Sequence, residues 1–256
     1  MIYRKDKLTI KIFPTRSEMG KAAALEASSI IRDFLSYKKE INIIFAAAPS
    51  QDDFLSALSE CNVMWERINA FHMDEYIGLD ADAPQGFGNY LKHRFFEKVP
   101  LKQVHYLGNS QDSGSLEKEI SRYADLLKQN PPDITFMGIG ENGHIAFNDP
   151  HVANFADPDL VKVVDLDLAC RQQQVNDGCF ENLEQVPTHA YTLTIPALTM
   201  ARYIFCIVPG ARKAQAVYNT LLGEINESCP ASILRTIHNT TLYLDSDSAR
   251  EWRVES

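Results

Sequence analysis

Two side chains in this sequence have the types and neighbours for proton-transfer chemistry. Asp74 stands in Phe71-His72-Met73-Asp74-Glu75-Tyr76-Ile77-Gly78-Leu79, just after an apolar run, Ile68–His72, that reads as a strand. A carboxylate past the carboxyl end of a strand, flanked by Phe71 and Tyr76, is half desolvated. Desolvation disfavours the charged form and raises the pKa, as a general base at neutral pH requires. His144 stands in Gly138-Ile139-Gly140-Glu141-Asn142-Gly143-His144-Ile145-Ala146-Phe147-Asn148-Asp149-Pro150. An imidazole, with an unperturbed pKa near ~6.5, moves protons in both directions at neutral pH. Glycines open backbone conformations closed to other residues, so Gly140 and Gly143 suit a tight turn presenting the ring. Asn142 and Asp149 are near enough in sequence to orient it. A carboxylate base and a histidine together suit proton shuttling beside a carbonyl, as in sugar isomerisation. Each residue alone also fits a plainer role: Asp74 as a loop acid or helix N-cap, His144 as a core histidine bonded to a backbone carbonyl.

The glycines also spell GxGxxG, the dinucleotide-binding pattern. That site needs a helix to begin within the motif so that its amides face a pyrophosphate. Here Asn148-Asp149-Pro150 closes the segment where the helix should run, and the motif is in mid-chain. A tight turn is the better reading than a dinucleotide site. The five cysteines, Cys61, Cys170, Cys179, Cys206 and Cys229, are odd in number and lack CxxC spacing, so neither a disulfide framework nor a zinc ribbon is signalled. No metal is expected.

The elements that must position Asp74 and His144 alternate in type along the chain. Strands are expected at Leu8–Phe13, Ile41–Ala48, Ile68–His72, Val104–Leu107, Asp133–Gly138, Tyr203–Val208 and Thr241–Leu244, with extended runs at Val161–Leu166 and His189–Thr194. Helices are expected at Ser17–Tyr37 with Ser17 as N-cap, Gln51–Cys61, Phe87–Val99, Ser115–Gln129, Ala211–Leu222 and Ala231–Thr236. This alternation predicts an α/β fold: three layers, doubly wound around a mainly parallel sheet, Rossmann-like. No linker, composition break or repeat divides residues 1–256, so one domain is expected. Ligands of such sheets bind beyond the carboxyl ends of the strands. Those ends are Ala46–Gln51, His72–Asp82, Gly138–Pro150 and Pro209–Lys213.

The 256 residues are 45% hydrophobic and 23% charged, which excludes disordered and low-complexity classes. With 25 Lys+Arg against 34 Asp+Glu the net charge is -9, so nucleic acid is a poor partner. No apolar stretch approaches the ~18 residues of a spanning helix, and the N-terminus lacks a signal-peptide core. A cytoplasmic protein with no membrane partner is expected.

Taken together, these residues resemble the glucosamine-6-phosphate deaminase (isomerase) family, which shares a fold with 6-phosphogluconolactonases. Met73-Asp74-Glu75-Tyr76-Ile77-Gly78-Leu79 is similar to the family's M-D-E-Y-V-G-L. Gly138–Pro150 is similar to its G-x-G-x-D-G-H-I-A-F-N-E-P, and the Ile-Ala-Phe-Asn portion favours the deaminase branch. Weaker similarity covers most of the chain, including Ala190-Tyr191-Thr192-Leu193-Thr194 and Pro209-Gly210-Ala211-Arg212-Lys213-Ala214. The resemblance implies cofactor-free conversion of glucosamine 6-phosphate, or a close amino hexose 6-phosphate, to a ketohexose 6-phosphate and ammonia. It implies that His144 moves the proton on the ring oxygen, that Asp74 shuttles a proton between C2 and C1, and that Lys213 binds phosphate. Relatives occur as monomers and larger assemblies, so a homo-oligomer is left open. Lactone hydrolysis with His144 activating water, and a non-catalytic sugar-phosphate-binding regulator, are the alternatives.

The sequence departs from the family at defined points. Asn142 replaces an aspartate; it can accept a hydrogen bond from the imidazole but brings no charge. Asp149 replaces a glutamate one methylene longer. The phosphate loop, T-G-G-T-P or T-G-S-T-P in relatives, is Ala47-Ala48-Pro49-Ser50-Gln51 here, and Pro49 has no N–H to donate. Ala48, Ser50, Gln51, Gly140 and Gly143 are the expected substrate-binding positions around this loop and the turn. The lid arginine of relatives has no clear match, and Arg171 and Arg235 are the candidate substitutes.

Overall fold

The computed structural model describes residues 1–108 and 115–252. Its strands, in chain order, are β1 (Ile2–Lys5), β2 (Leu8–Phe13), β3 (Ile41–Phe45), β4 (Ile68–His72), β5 (Asp74–Tyr76), β6 (Gln103–His105), β7 (Ile134–Met137), β8 (Val161–Asp165), β9 (His189–Leu193), β10 (Tyr203–Val208) and β11 (Thr240–Asp245). Eight of these form one sheet in the order β1-β2-β11-β10-β7-β3-β4-β6. Only the β1–β2 pair is antiparallel; the rest run parallel. Parallel neighbours need long crossovers. The α-helices α1 (Arg16–Tyr37), α2 (Asp52–Ser59), α3 (Phe87–Leu91), α4 (Leu116–Gln129), α5 (Leu168–Asn176), α6 (Ile195–Thr199) and α7 (Ala214–Leu222) lie within those connections and the excursion that carries the second sheet. The fold is a three-layer α/β architecture around a mainly parallel sheet.

Strand residues are apolar on both faces because both faces are covered. On one face Phe45, Phe136, Phe205 and Tyr243 make a row across β3, β7, β10 and β11, with successive centroids 5.3, 5.5 and 5.8 Å apart. Met19, Ala23, Ala27, Ile31 and Phe34 of α1 belong to the same cluster. Neighbours along the strands, Ile44, Met137, Cys206 and Leu242, turn to the opposite face and cluster with Val217 and Leu221 of α7.

Several boundaries differ from the sequence reading for local reasons. The N-cap of α1 is Thr15, whose hydroxyl accepts the Glu18 N–H at 3.2 Å and leaves Ser17 inside the first turn. β3 stops at Phe45, paired with His72, and Ala46–Ala48 leave the ladder to line a crevice. The helix expected over Phe87–Val99 is α for five residues and then widens to a π-turn at Lys92–Phe96. The helix α5 and a small antiparallel sheet, β5-β9-β8, were not foreseen. That sheet is decisive for the site, because β5 begins at Asp74 and pairs it with Thr192 of β9.

Candidate active site

The turn after β7 is built from its own backbone. The Gly140 N–H donates to the His144 carbonyl (2.9 Å) and the Gly143 N–H to the Gly140 carbonyl (3.0 Å). Gly143 has φ 89°, a conformation that suits glycine, and faces Cys229, where a Cβ would lie 2.9 Å from Sγ. It therefore shapes the turn from behind. Gly140 faces the other way: a Cβ there would overlap the His144 ring. Its lack of a side chain is what seats the imidazole. Downstream, Asn148 closes the tight turn by donating to the carbonyls of Ile145 (2.9 Å) and Leu193 (2.8 Å). Phe147 N–H reaches Thr192 Oγ1 at 3.1 Å, tying the turn to β9.

His144 is buried at 7% exposure, with Nδ1 2.9 Å from Asp149 Oδ1, off the ring's N–H axis. The shorter aspartate thus reaches the imidazole. Among the described residues, the Asn142 side chain makes no hydrogen bond to the ring. Its Oδ1 accepts the backbone N–H of His144 (3.0 Å), and its Nδ2 donates to Asp149 Oδ1 (2.9 Å). An acid at 142 would set two carboxylates together, whereas the amide supplies a donor to the single one. Burial alone would raise the Asp149 pKa. Donors from His144, Asn142 and Cys170 outweigh it and hold the carboxyl below its ordinary value. Asp149 therefore stays ionised beside the ring, where its charge can stabilise an imidazolium.

Asp74 is 7% exposed, and no donor among the described residues reaches its carboxylate. Burial, with the charge of Glu75 next to it, raises its pKa well above the ordinary value. Its backbone is fixed by His72, a residue the sequence reading passed over. Burial pushes the His72 pKa down to about 4, so the ring is neutral. It can then donate from Nδ1 to the Asp74 carbonyl (2.9 Å) while Nε2 accepts the Leu107 N–H (2.9 Å). Glu75 was also missed. Its carboxylate accepts the N–H groups of Tyr76, Phe87 and Gly88 at 2.8–2.9 Å, which caps α3 and places Phe87 in the crevice wall. Burial still pushes its pKa up to about 7.

Asp74 and His144 line one crevice with Ala48, Ser50, Gln51, Gly140 and Lys213. All four expected strand-end segments contribute to it. Lys213 is buried at 6% exposure with its pKa lowered by desolvation, against which Asp177 and Glu141 act. Gln173 and Gln174 of α5 complete the wall and were not anticipated. Their signal in the sequence is the glutamine run Gln172-Gln173-Gln174 beside Arg171. Neither candidate arginine lines the crevice. Arg171 donates to the carbonyls of Leu183 (2.7 Å) and Val186 (2.9 Å), pinning α5 to the following loop. Arg235 donates to Asp6 and the Gly223 carbonyl, both at 2.7 Å. A wider groove between α1 and α2 lies away from the strand ends and gathers no comparable acid–base pair. His144, Asp149 and Cys170 hold potential metal-ligand atoms within 4.8 Å of one another. Asn142 Nδ2 already donates to the Asp149 carboxylate in this cluster. Among the described residues, no helix is long and apolar enough to cross a membrane.

Comparison with known proteins fits this geometry. Residues 14–243 match the family model described as glucosamine-6-phosphate isomerases/6-phosphogluconolactonase. A glucosamine-6-phosphate deaminase of Listeria innocua is 35% identical over 211 residues, 82% of this chain and 87% of that one. One from Bacillus cereus is 30% identical over 241 residues, 94% of this chain and 88% of that one. Among solved structures, a monomeric glucosamine-6-phosphate deaminase superposes with TM-score 0.84 at 27% identity, covering 94% of this chain and 99% of its own. The 6-phosphogluconolactonase of Thermotoga maritima, with TM-score 0.74 and 20% identity over 93% of this chain and 99% of its own, shares the fold. With the model spanning all but the two ends and the relatives aligned along most of their lengths, the chain belongs to the glucosamine-6-phosphate isomerase/6-phosphogluconolactonase family.

Proposed function

We propose that this chain is an aldose–ketose isomerase and deaminase of a 2-amino-2-deoxyhexose 6-phosphate, with glucosamine 6-phosphate as the reference substrate. The observation that carries the reading is the meeting of a raised-pKa carboxyl, Asp74, and an imidazole, His144, on one crevice. The names of the aligned relatives point the same way.

In this reading His144, held by Asp149, takes the proton from the anomeric hydroxyl and delivers one to the ring oxygen, opening the pyranose. The ionised form of Asp74 removes the proton at C2 of the aldehyde. The electron pair moves into a C1–C2 double bond and the carbonyl oxygen gains a proton, giving an enolamine. Asp74 returns a proton to C1, which leaves a protonated imine at C2. Water adds there and ammonia departs, so glucosamine 6-phosphate and water become fructose 6-phosphate and ammonium. Every step is a proton transfer, an addition or an elimination. Hydrolysis of a lactone would leave Asp74 without work, since no C–H bond breaks. In this reading Lys213, which lines the same crevice, meets the anionic end of the sugar.

Incubation with glucosamine 6-phosphate, following ammonia and fructose 6-phosphate together, tests the reading. Equimolar release of both is expected. Hydrolysis of 6-phosphogluconolactone with no ammonia from any amino hexose 6-phosphate would overturn it.

A further inference from the structure

The His144 imidazole has a second set of neighbours off the crevice. His144 lines the crevice, but Asp149 and Cys170 do not. The three nevertheless bring a ring nitrogen, a carboxylate oxygen and Sγ within 4.8 Å of one another, and all three residues are buried. A second trio shares the same carboxylate: Asp149, His151 and Asp167 also hold their donor atoms within 4.8 Å. The side chains of His151 and Asp167 are 38% and 33% exposed. The Asp149 carboxylate thus links a pair of ligand groups open to solvent with a buried pair.

The buried trio has bonding capacity to spare. His144 Nδ1 lies 2.9 Å from Asp149 Oδ1 but off the ring's N–H axis, and neither Nδ1 nor Asp149 Oδ2 has a hydrogen-bond partner among the described residues. Asn142 donates to Oδ1 and leaves Oδ2 open. Buried polar atoms are ordinarily satisfied, so two orphans side by side call for an explanation. Cys170 is anchored through its backbone, whose N–H donates to Asp167 Oδ1 (2.6 Å) at the start of α5. Imidazole, carboxylate and thiol together are a donor set for Zn²⁺ and similar thiophilic ions. Tetrahedral bonds of about 2.0–2.3 Å put ligand atoms roughly 3.3–3.6 Å apart, so side-chain rotations alone would close the set around an ion. The carboxylate and a thiolate cancel a divalent charge, as a buried site requires. Cysteine spacing does not reveal this arrangement, because the imidazole and carboxylate come from the turn after β7 and the thiol from α5.

We propose that His144, Asp149 and Cys170 form an inhibitory site for a thiophilic divalent cation such as Zn²⁺, reached past His151 and Asp167. Binding makes bonds to Nδ1, the carboxylate and Sγ, and the thiol proton leaves to solvent. With the ion on Nδ1 and the hydrogen on Nε2, the ring keeps no lone pair to take the anomeric proton. The inhibition rests on the deaminase reading above; the binding does not.

The experiment uses the full chain, freed of metal by a chelator and titrated with Co²⁺ for its spectrum and Zn²⁺ for affinity and activity. One equivalent of Co²⁺ is expected to give a thiolate-to-cobalt charge-transfer band that Zn²⁺ abolishes. Cys170→Ser, its folding checked by melting, is expected to lose the band and to weaken Zn²⁺ binding at least about tenfold, the least that removing even an outer-shell partner costs. Cys61→Ser should keep both. Zn²⁺ should raise the Tm of the parent more than that of Cys170→Ser. It should stop ammonia release in a way that excess glucosamine 6-phosphate does not relieve, since the ion enters off the crevice, and EDTA should restore the rate. A parent without the band, a band that survives Cys170→Ser, or inhibition overcome by substrate overturns the proposal, as does a filled site with undiminished turnover. If the Cys170-dependent band forms but the metal-free protein converts no amino hexose 6-phosphate, the deaminase reading fails while the metal site stands.

Discussion

One methyl group tests whether the reaction passes through His144. Gly140 has no positive φ, so alanine is compatible with its backbone. The added Cβ nevertheless overlaps the His144 ring at Cε1, Nε2 and Nδ1. The backbone resists giving way, because the Gly140 N–H is bonded to the His144 carbonyl and the His144 N–H to Asn142. The imidazole must therefore swing from its seat beside Asp149. Overpacking of this kind costs about 1–3 kcal/mol, and each kcal/mol lowers Tm by roughly 2–4 °C at this chain length. A displaced acid–base group loses about 10²–10⁴-fold in rate, the range expected for His144→Gln as well. Since both substitutions remove one function, their effects should overlap: the double variant should lie within about threefold of His144→Gln. Initial rates of ammonia release, with melting curves on the same preparations, measure both quantities. A Gly140→Ala protein that melts in the expected range yet keeps kcat/KM within about threefold of the parent, or losses that multiply in the double variant, would refute the placement of His144 in the reaction.

Other consequences concern the two neighbouring acids. Asp74→Asn should reduce turnover by about 10²–10⁴-fold while sugar binding measured by calorimetry survives. In the parent, kcat/KM should rise with pH through an ionisation above the ordinary carboxylate range, because the base must be charged and burial opposes that. The same residue should weigh on stability. A folded pKa raised above the unfolded one gives a contribution that is full at low pH and lost as pH rises through the folded value. Asp74→Asn should thus gain more in Tm, relative to the parent, at pH 7 than at pH 4; equal gains would contradict the burial argument. Glu75, with a folded pKa of about 7 against 4.5 when unfolded, loses its contribution between those two values as pH rises. Glu75→Gln should flatten the parent's pH dependence of Tm in that window, and an unchanged slope there would show that Glu75 is not its source.

The chemistry was more legible in the sequence than the shape of the pocket. Asp74 and His144 were recognisable because each follows a short apolar run that had to be a buried strand, and strand ends of a parallel sheet converge. The glycine turn was legible for the same reason. What could not be read was which side each neighbour faces. Gly140 and Gly143 look alike in sequence, yet one seats the ring and the other backs onto Cys229. Arg171 and Arg235 advertised charge, but carbonyls and Asp6 hold their guanidinium groups. Gln173 and Gln174 carried no pattern of their own, and only the helix α5 brings them to the crevice. β5 is three residues long, too short for alternation to register, although it fixes where the Asp74 backbone lies.

The most direct test follows a hydrogen. Glucosamine 6-phosphate labelled with deuterium at C2 is converted in ordinary water, and the fructose 6-phosphate is read by NMR. Part of the label should arrive at C1, the rest washing into solvent, and Asp74→Asn should carry out neither process. Deuterium lost from C2 at an undiminished rate in the Asp74→Asn protein, or a parent protein that never breaks the C2–H bond, would contradict the claim that this carboxylate moves the proton.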